Sequence, residues 1–249
     1  MSNITYILNR VKRRIKRKKE LGIGYKAGDH HYRAYVGPPE RYDIIAAMTF
    51  NLLTTLGMRQ DHVVLDIGCG SLRIGRLLIP YLNIGNYSGI EPNQWLIDEG
   101  IQRETGQDQI RIKQPKFYVS HCARNLPTGA LFDIAIAQSI FSHCGPELVE
   151  RWLKDISAHL KDSGALAATF LIGDRDCQDR GWVYPGCVSY KVETMALLAR
   201  NAGLKFLLID WKHPAQQWAL FVKHQFDTTW FQNRPLTWNT LLEFKWKVV

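Results

Sequence analysis

The sequence predicts a doubly wound α/β fold: one seven-stranded sheet, mostly parallel, with an antiparallel last strand. Three observations predict it. Short, near-continuous apolar runs alternate with helical stretches over residues 59–224, the pattern of parallel strands covered on both faces. The first run ends in a glycine turn, Asp66-Ile67-Gly68-Cys69-Gly70. The last two runs lie too close together for a crossover helix, so they pair antiparallel.

The elements follow in order. Ile4, Ile7, Leu8, Val11 and Ile15 recur at helical spacing, which predicts a basic amphipathic arm over residues 1–20. Gly22, Gly24, Gly28, Gly37, Pro38 and Pro39 then break regular structure. A helix over Tyr42 to Leu56 closes at Gly57. Residues 21–58 thus form an N-terminal lid and helix. Val63 to Ile67 is a strand interrupted only by Asp66, and residues 71–82 are helical. Tyr87 to Glu91 is the second strand, followed by a helix over Asn93 to Arg103. Lys116 to Ser120 and Phe132 to Gln138 are the third and fourth strands. Pro146 to Lys161 is a helix with proline in its first turn, and Ala165 to Ile172 is the fifth strand. Lys191 to Asn201 is a helix capped by Gly203. Lys205 to Asp210 and Trp218 to Lys223 complete the sheet. Residues 225–249 form an aromatic C-terminal extension. Trp211, Trp218, Trp230, Trp238 and Trp246 are five of the eight tryptophans, and packing is their default role.

Composition restricts the function classes. With 249 residues, 46% hydrophobic and 22% charged, the chain has enough apolar content for a core of its own. No apolar run approaches the roughly 20 residues of a membrane span, and no secretory signal is expected. The five cysteines, Cys69, Cys122, Cys144, Cys177 and Cys187, are odd in number and fit no zinc spacing. They read as reduced thiols of a cytoplasmic protein with no metal site. The net charge of +9 belongs to one segment, because residues 10–19 hold eight basic and no acidic residues. The remaining body is nearly neutral. The arm suits an anionic membrane surface, which would place the protein peripherally on the inner face of a membrane. It equally suits another polyanion or an inert tail.

Ligands of open α/β sheets bind beyond the carboxyl ends of the strands, at the switch point. Gly68 and Gly70 permit a tight turn and close approach of the backbone to a ligand. About 20 residues on, Gly89-Ile90-Glu91-Pro92 closes the second strand with an acid able to accept hydrogen bonds from ribose hydroxyls. A dinucleotide site wants glycine at position 73 to seat a pyrophosphate, but the chain has Arg73. Asp66, before the first glycine, suits a ligand bearing an ammonium or sulfonium group. Together these features favour S-adenosylmethionine over a pyridine dinucleotide.

Val63 to Gly70 resembles the first motif of the Rossmann-like class I S-adenosylmethionine-dependent methyltransferases, and Gly89 to Pro92 resembles the second. Phe132 to Gln138 is similar to their fourth-strand motif, and Leu160 to Leu166 to the turn before their fifth strand. The resemblance covers roughly residues 60–223. It implies that Asp66, Gly68, Cys69, Gly70, Glu91, Pro92 and Gln138 line the cofactor site, with His121 and Cys122 on the adenine side. There are two departures: Leu72 stands where the family often has a third glycine, and Ser120-His121-Cys122-Ala123 replaces an Asp near the adenine.

Methyl transfer requires alignment of acceptor, methyl and leaving sulfur. A hydroxyl acceptor also needs a base, which histidine can supply near neutral pH. His143, after the fourth strand, and His213, after the sixth, are the candidates; His30 and His31 are possible lid residues. The long connection Gly173 to Tyr190 should shape the acceptor site, with Trp182 and Tyr184 as candidate binding residues. The leading reading is O-methylation of a small hydroxylated or sugar-like acceptor, as in bacterial small-molecule and glycan methyltransferases. RNA methylation and non-catalytic cofactor binding are the alternatives. The near-neutral body argues against nucleic acid, and nothing in the sequence selects an oligomeric state.

Overall fold

The structure is a computed structural model that describes residues 18–229. Residues 1–17 of the basic arm, and Trp230, Trp238 and Trp246 of the aromatic extension, lie outside the described residues. Among the described residues, no helix is long and apolar enough to cross a membrane.

The strands are β1 (Val64–Ile67), β2 (Tyr87–Ile90), β3 (Lys116–Tyr118), β4 (Phe132–Ala137), β5 (Leu160–Ile172), β6 (Ser189–Tyr190), β7 (Lys205–Ile209) and β8 (Gln217–Val222). The sheet runs β3-β2-β1-β4-β5-β8-β7, with β6 paired to the end of β5. Pairings from β3 through β5 are parallel, while β8 runs antiparallel to both β5 and β7. This is the doubly wound, mostly parallel sheet that the alternating pattern predicts. The chain works outward through β1, β2 and β3, then crosses back to place β4 beside β1. That reversal opens a crevice at the carboxyl ends of β1 and β4.

Alternation along the strands builds two cores. Leu65, Ile67, Ala135, Ala137, Leu166 and Ala168 face one side, where they meet α5 (Pro146–His159) and α6 (Val192–Asn201). Val64, Ile134, Ile136, Ala165 and Ala167 face the other, against α1 (Tyr42–Thr55), α2 (Gly75–Tyr81) and α3 (Gln94–Gly100). Each strand therefore contributes apolar atoms to both layers, the physical reason its sequence shows no polar face. Asp66 falls in the Val64 register and is enclosed beside α2 and β2.

The structure adds two elements and moves two boundaries. The two-residue β6 lies inside the predicted Gly173–Tyr190 connection; it is too short to leave a periodic signal. Helix α4 (Gln107–Lys113) has no buried residue, so it lacks the apolar stripe by which helices are read. β5 begins at Leu160 instead of Ala165, its register to β4 shifting between Phe132 and Ile134. The helix expected from residue 71 begins at Gly75, because Leu72 adopts a left-handed φ of 60°.

The N-terminal segment is anchored by charge. Arg33 is buried, and donates to Glu104 at 2.5 and 2.9 Å and to Asp43 at 3.2 Å. Arg76 of α2 bridges the same two carboxylates at 3.0 and 2.7 Å. Both guanidinium groups lie over the Tyr42 ring, Arg33 at 4.5 Å and Arg76 at 5.4 Å. Shared acids and a common aromatic face offset the desolvation that a buried arginine incurs. The segment is thus fastened to α1 and α2 before it reaches the crevice.

Leu72 is fully buried while holding a backbone conformation that favours glycine. Leu72→Ala should cost about 2–5 kcal/mol through the cavity it leaves. Leu72→Gly should be milder than Leu72→Ala by about 1 kcal/mol, because only glycine releases the left-handed strain. Urea unfolding of the two variants checks this, and the ordinary order, alanine milder than glycine, would refute it.

Candidate active site

The glycine turn is tied to the end of β2. The amides of Gly68 and Cys69 donate to the Ile90 carbonyl at 2.8 and 3.0 Å, and the Gly70 amide donates to Glu91 Oε2 at 3.1 Å. Glu91 Oε1 accepts from the Asn93 backbone and side chain at 2.9 and 2.8 Å. Burial pushes the Glu91 carboxyl upward, while the Asn93 and Gly70 donors pull it back. Pro92 follows, half-buried. The turn is crowded: a Cβ on Gly68 would lie 2.2 Å from Ile140 Cδ1, and one on Gly70 would lie 2.6 Å from Val36 Cγ1. Glycine at these two positions leaves room for a neighbour or a ligand against the backbone.

Asp66 accepts from the Tyr87 hydroxyl at 2.8 Å inside the sheet edge. Burial pushes its carboxyl up to about 7, against the Tyr87 hydrogen bond and the Arg73 charge. Cys69 is also enclosed, and burial raises its thiol far above the ordinary range. It packs under Gly89, as a small side chain in a tight turn should.

Asp66, Gly68, Cys69 and Gln138 line one cavity together with Val36, Arg73 and Ile74. Gln138 extends from the end of β4. His121 lies on the exposed rim, and its charge acts on Glu91. Cys122 is half-buried beside it, its backbone amide donating to Ser120 Oγ at 3.1 Å.

The two candidate histidines are held differently. His143 sits on a short turn after β4, and its Nδ1–H donates to the Gly186 carbonyl at 2.6 Å. That bond fixes the tautomer and leaves Nε2 as the acceptor. Nε2 carries no hydrogen bond among the described residues. Burial lowers the pKa of the ring, with the Gly186 bond opposing. Its neighbours are Tyr184 at 5.0 Å and Trp182 at 5.8 Å between ring centroids. His213 has both nitrogens occupied. Nδ1 accepts from the amides of Ala215 and Gln216 at 3.2 and 3.0 Å, and Nε2 faces the Gln138 amide at 3.1 Å. Burial, followed by the charges of Arg73 and Arg41, brings it down to about 4. It is a neutral ring whose Nδ1 braces the β7–β8 connection.

The long connection docks on the turn that follows β4. Val183 and Val188 donate to the carbonyls of His143 and Ser142 at 2.9 and 2.8 Å, and Trp182 forms a bridge with Cys144. Trp182 remains half exposed and stacks on Tyr184 at 6.2 Å. The Tyr184 hydroxyl donates to the Tyr35 carbonyl of the N-terminal segment. On the opposite wall His30 stacks on Trp95 at 4.7 Å, with Tyr35 edge-on to the same indole at 5.2 Å. Aromatic rings from three parts of the chain therefore border the crevice.

Sequence reasoning missed several contributors. In the sequence Arg73 stands out only as a departure from a dinucleotide turn; it lies in the cavity, donating to the Val36 carbonyl at 2.8 Å and to Gln138. Beneath Gln138, Gln216 joins Ser139, Ser142 and Thr169 through bonds of 2.9, 3.2 and 2.5 Å. Polar residues clustered at strand ends were the available signal, but which of them meet depends on the sheet register.

These residues fit S-adenosylmethionine. Glu91 presents a carboxylate beside the turn for ribose hydroxyls, the two glycines leave a backbone cradle, and buried Asp66 matches a cationic group.

The Asp66 carboxyl binds its proton more tightly in the folded chain than in the unfolded one. Its contribution to stability is complete below about pH 4, and is lost as the pH rises through about 7. Asp66→Asn should remove that slope and raise stability at pH 8 by about 1–4 kcal/mol. Chemical denaturation at pH 5 and pH 8 tests it; an equal effect at both values would exclude a buried, proton-binding Asp66.

Residues 65–166, from β1 into β5, match a family model described as a methyltransferase domain. Magnesium protoporphyrin IX methyltransferase from Synechocystis PCC 6803, solved with bound S-adenosylmethionine, is 14% identical, with a TM-score of 0.58 over 83% of this chain and 88% of that one. The PH0226 protein from Pyrococcus horikoshii OT3 is 16% identical, with a TM-score of 0.58 over 80% and 100% of the two chains. Mitomycin 7-O-methyltransferase is 15% identical, with a TM-score of 0.59 over 77% and 56%. At such identities these likenesses establish a shared fold. The chain has the fold of the class I S-adenosylmethionine-dependent methyltransferases, and its residues 65–166 match a methyltransferase domain.

Proposed function

We propose that the protein methylates a hydroxyl of a small, sugar-like or otherwise hydroxylated acceptor, with His143 as general base and Trp182 and Tyr184 as the acceptor platform. One observation carries this reading: the Gly186 carbonyl holds the His143 Nδ1 proton at 2.6 Å, leaving Nε2 free beside a half-exposed tryptophan. A base needs an unoccupied, correctly oriented lone pair more than it needs a high pKa. His213 has no such lone pair. Mitomycin 7-O-methyltransferase, whose name specifies transfer to oxygen, shares the fold and supports the same acceptor chemistry.

Bound S-adenosylmethionine supplies an electrophilic methyl group on a sulfonium sulfur. Glu91 would hold the ribose, the glycine turn would lie against the cofactor, and Asp66 would balance its positive charge. Trp182 offers an apolar face to a sugar or ring, which orients one hydroxyl toward His143. His143 Nε2 would take the proton of the acceptor hydroxyl, making its oxygen the nucleophile toward the methyl group that the bound cofactor would supply. The Gly186 carbonyl then stabilises the imidazolium through Nδ1–H. The N-terminal segment and the long connection, joined by the Tyr184–Tyr35 bond, keep bulk water from the crevice.

An acceptor panel with methyl-labelled cofactor identifies the substrate. On any acceptor so found, His143→Ala should lower kcat about 10²–10⁴-fold with cofactor affinity unchanged, whereas Trp182→Ala should act mainly on acceptor KM. Because burial lowers the His143 pKa, kcat/KM should stay level through neutral pH and fall only below the ordinary histidine range. Full activity in His143→Ala would eliminate it as the base.

A further inference from the structure

Arg73 is charged, half-buried and makes no ion pair among the described residues, Asp66 in the same cavity acting on it only through space. Its guanidinium enters the cavity from the turn, where Nη1 donates to the Val36 carbonyl at 2.8 Å and Nη2 to Gln138 Oε1. Both acceptors are neutral. Among the described residues no carboxylate lies within 4 Å of it, to judge from the ion pairs that form. The buried Arg33 and the largely buried Arg76 are treated otherwise, sharing Glu104 and Asp43. Arginine cannot shed its charge in a protein, and two partners leave donors of its planar fork unused. A cation held in this way calls for an anion supplied from outside the chain.

The surroundings select which anion. Glu91 closes β2 on one side of the glycine turn, and Arg73 reaches Gln138 at the end of β4 on the other. A nucleoside held by Glu91 would have its remaining substituent facing the cavity that Gly68, Asp66 and Arg73 line. There the chain offers one buried acid, Asp66, and one half-buried base, Arg73, lining the same cavity. An acid and a base side by side complement the two charges of an α-amino acid. We infer that Arg73 recognises the α-carboxylate of the cofactor's methionine moiety, opposite Asp66 on the amino group. This inference rests on the cofactor reading above. The Val36 carbonyl shares the same guanidinium, so the N-terminal segment and the ligand's carboxylate meet at a single residue.

Calorimetric titration of the full chain tests this with three probes: S-adenosylmethionine, its decarboxylated analogue, and 5′-methylthioadenosine, which lacks the whole amino-acid portion. Arg73→Gln should weaken S-adenosylmethionine by about 10- to 100-fold, the loss of one charge-assisted bidentate contact. It should leave the two carboxylate-free probes within about threefold of wild type. Arg73→Lys, which keeps the charge without the fork, should recover part of the loss. Unchanged melting of both variants confirms that they fold. An equal loss for all three probes, or none for S-adenosylmethionine, overturns the assignment while the cofactor reading stands. Failure of wild type to bind any of the three overturns the cofactor reading itself.

Discussion

The structure turns on two opposite charges enclosed where β1 gives way to the glycine turn. Asp66 is buried in the sheet edge under the Tyr87 hydroxyl, and Arg73 is held in the adjoining cavity by neutral oxygens. Neither arrangement favours the free chain. Burial drives Asp66 toward its protonated form, and a half-buried guanidinium bonded only to neutral oxygens is only partly compensated. Such unsatisfied electrostatics are tolerated where a ligand relieves them. In the reading proposed above, the zwitterionic end of S-adenosylmethionine would supply a partner for each charge.

Keeping those charges in place requires walls, and the walls come from distant parts of the chain. The N-terminal segment is fastened by Arg33 to Glu104 and Asp43, and then lays Val36 over Gly70 and its carbonyl on Arg73. The long connection after β5 is pinned to the turn that follows β4 by backbone bonds and to the end of β5 by the short β6. Tyr184 and Tyr35 join the two. Cofactor side and acceptor side are therefore coupled mechanically through one hydrogen bond and one shared arginine.

The two histidines show how position in the crevice differs from role. Both follow strands at the carboxyl edge, and both rings are neutral at physiological pH because they are desolvated. His213 spends its lone pair on two backbone amides and braces the β7–β8 connection. His143 spends only its proton, on Gly186, which leaves the Nε2 lone pair for the base role proposed above. Hydrogen-bond polarity, not proximity or pKa, distinguishes the two rings.

Much of this was legible in the residues. The alternation of apolar runs and helices follows directly from burying each strand on two faces, so the doubly wound sheet and its antiparallel end could be read in order. The glycine turn and Glu91 were legible because their roles are local: a tight turn and a strand-end acid depend on neighbours in sequence. Leu72 concealed the remaining left-handed turn position, since its burial outweighs the backbone strain that usually demands glycine. The two-residue β6 and the unburied α4 left no period to detect. Arg73, Val36, Trp95 and Gly186 were hidden for a different reason. Their roles arise from partners 37, 65, 65 and 43 residues away in the chain: Val36 and Gln138 for Arg73, His30 for Trp95, His143 for Gly186. Local patterns decide which elements form and where a ligand can approach the backbone. Only the packed sheet decides which side chains face one another there, because that depends on register and on the paths of two long connections, neither of which has a period.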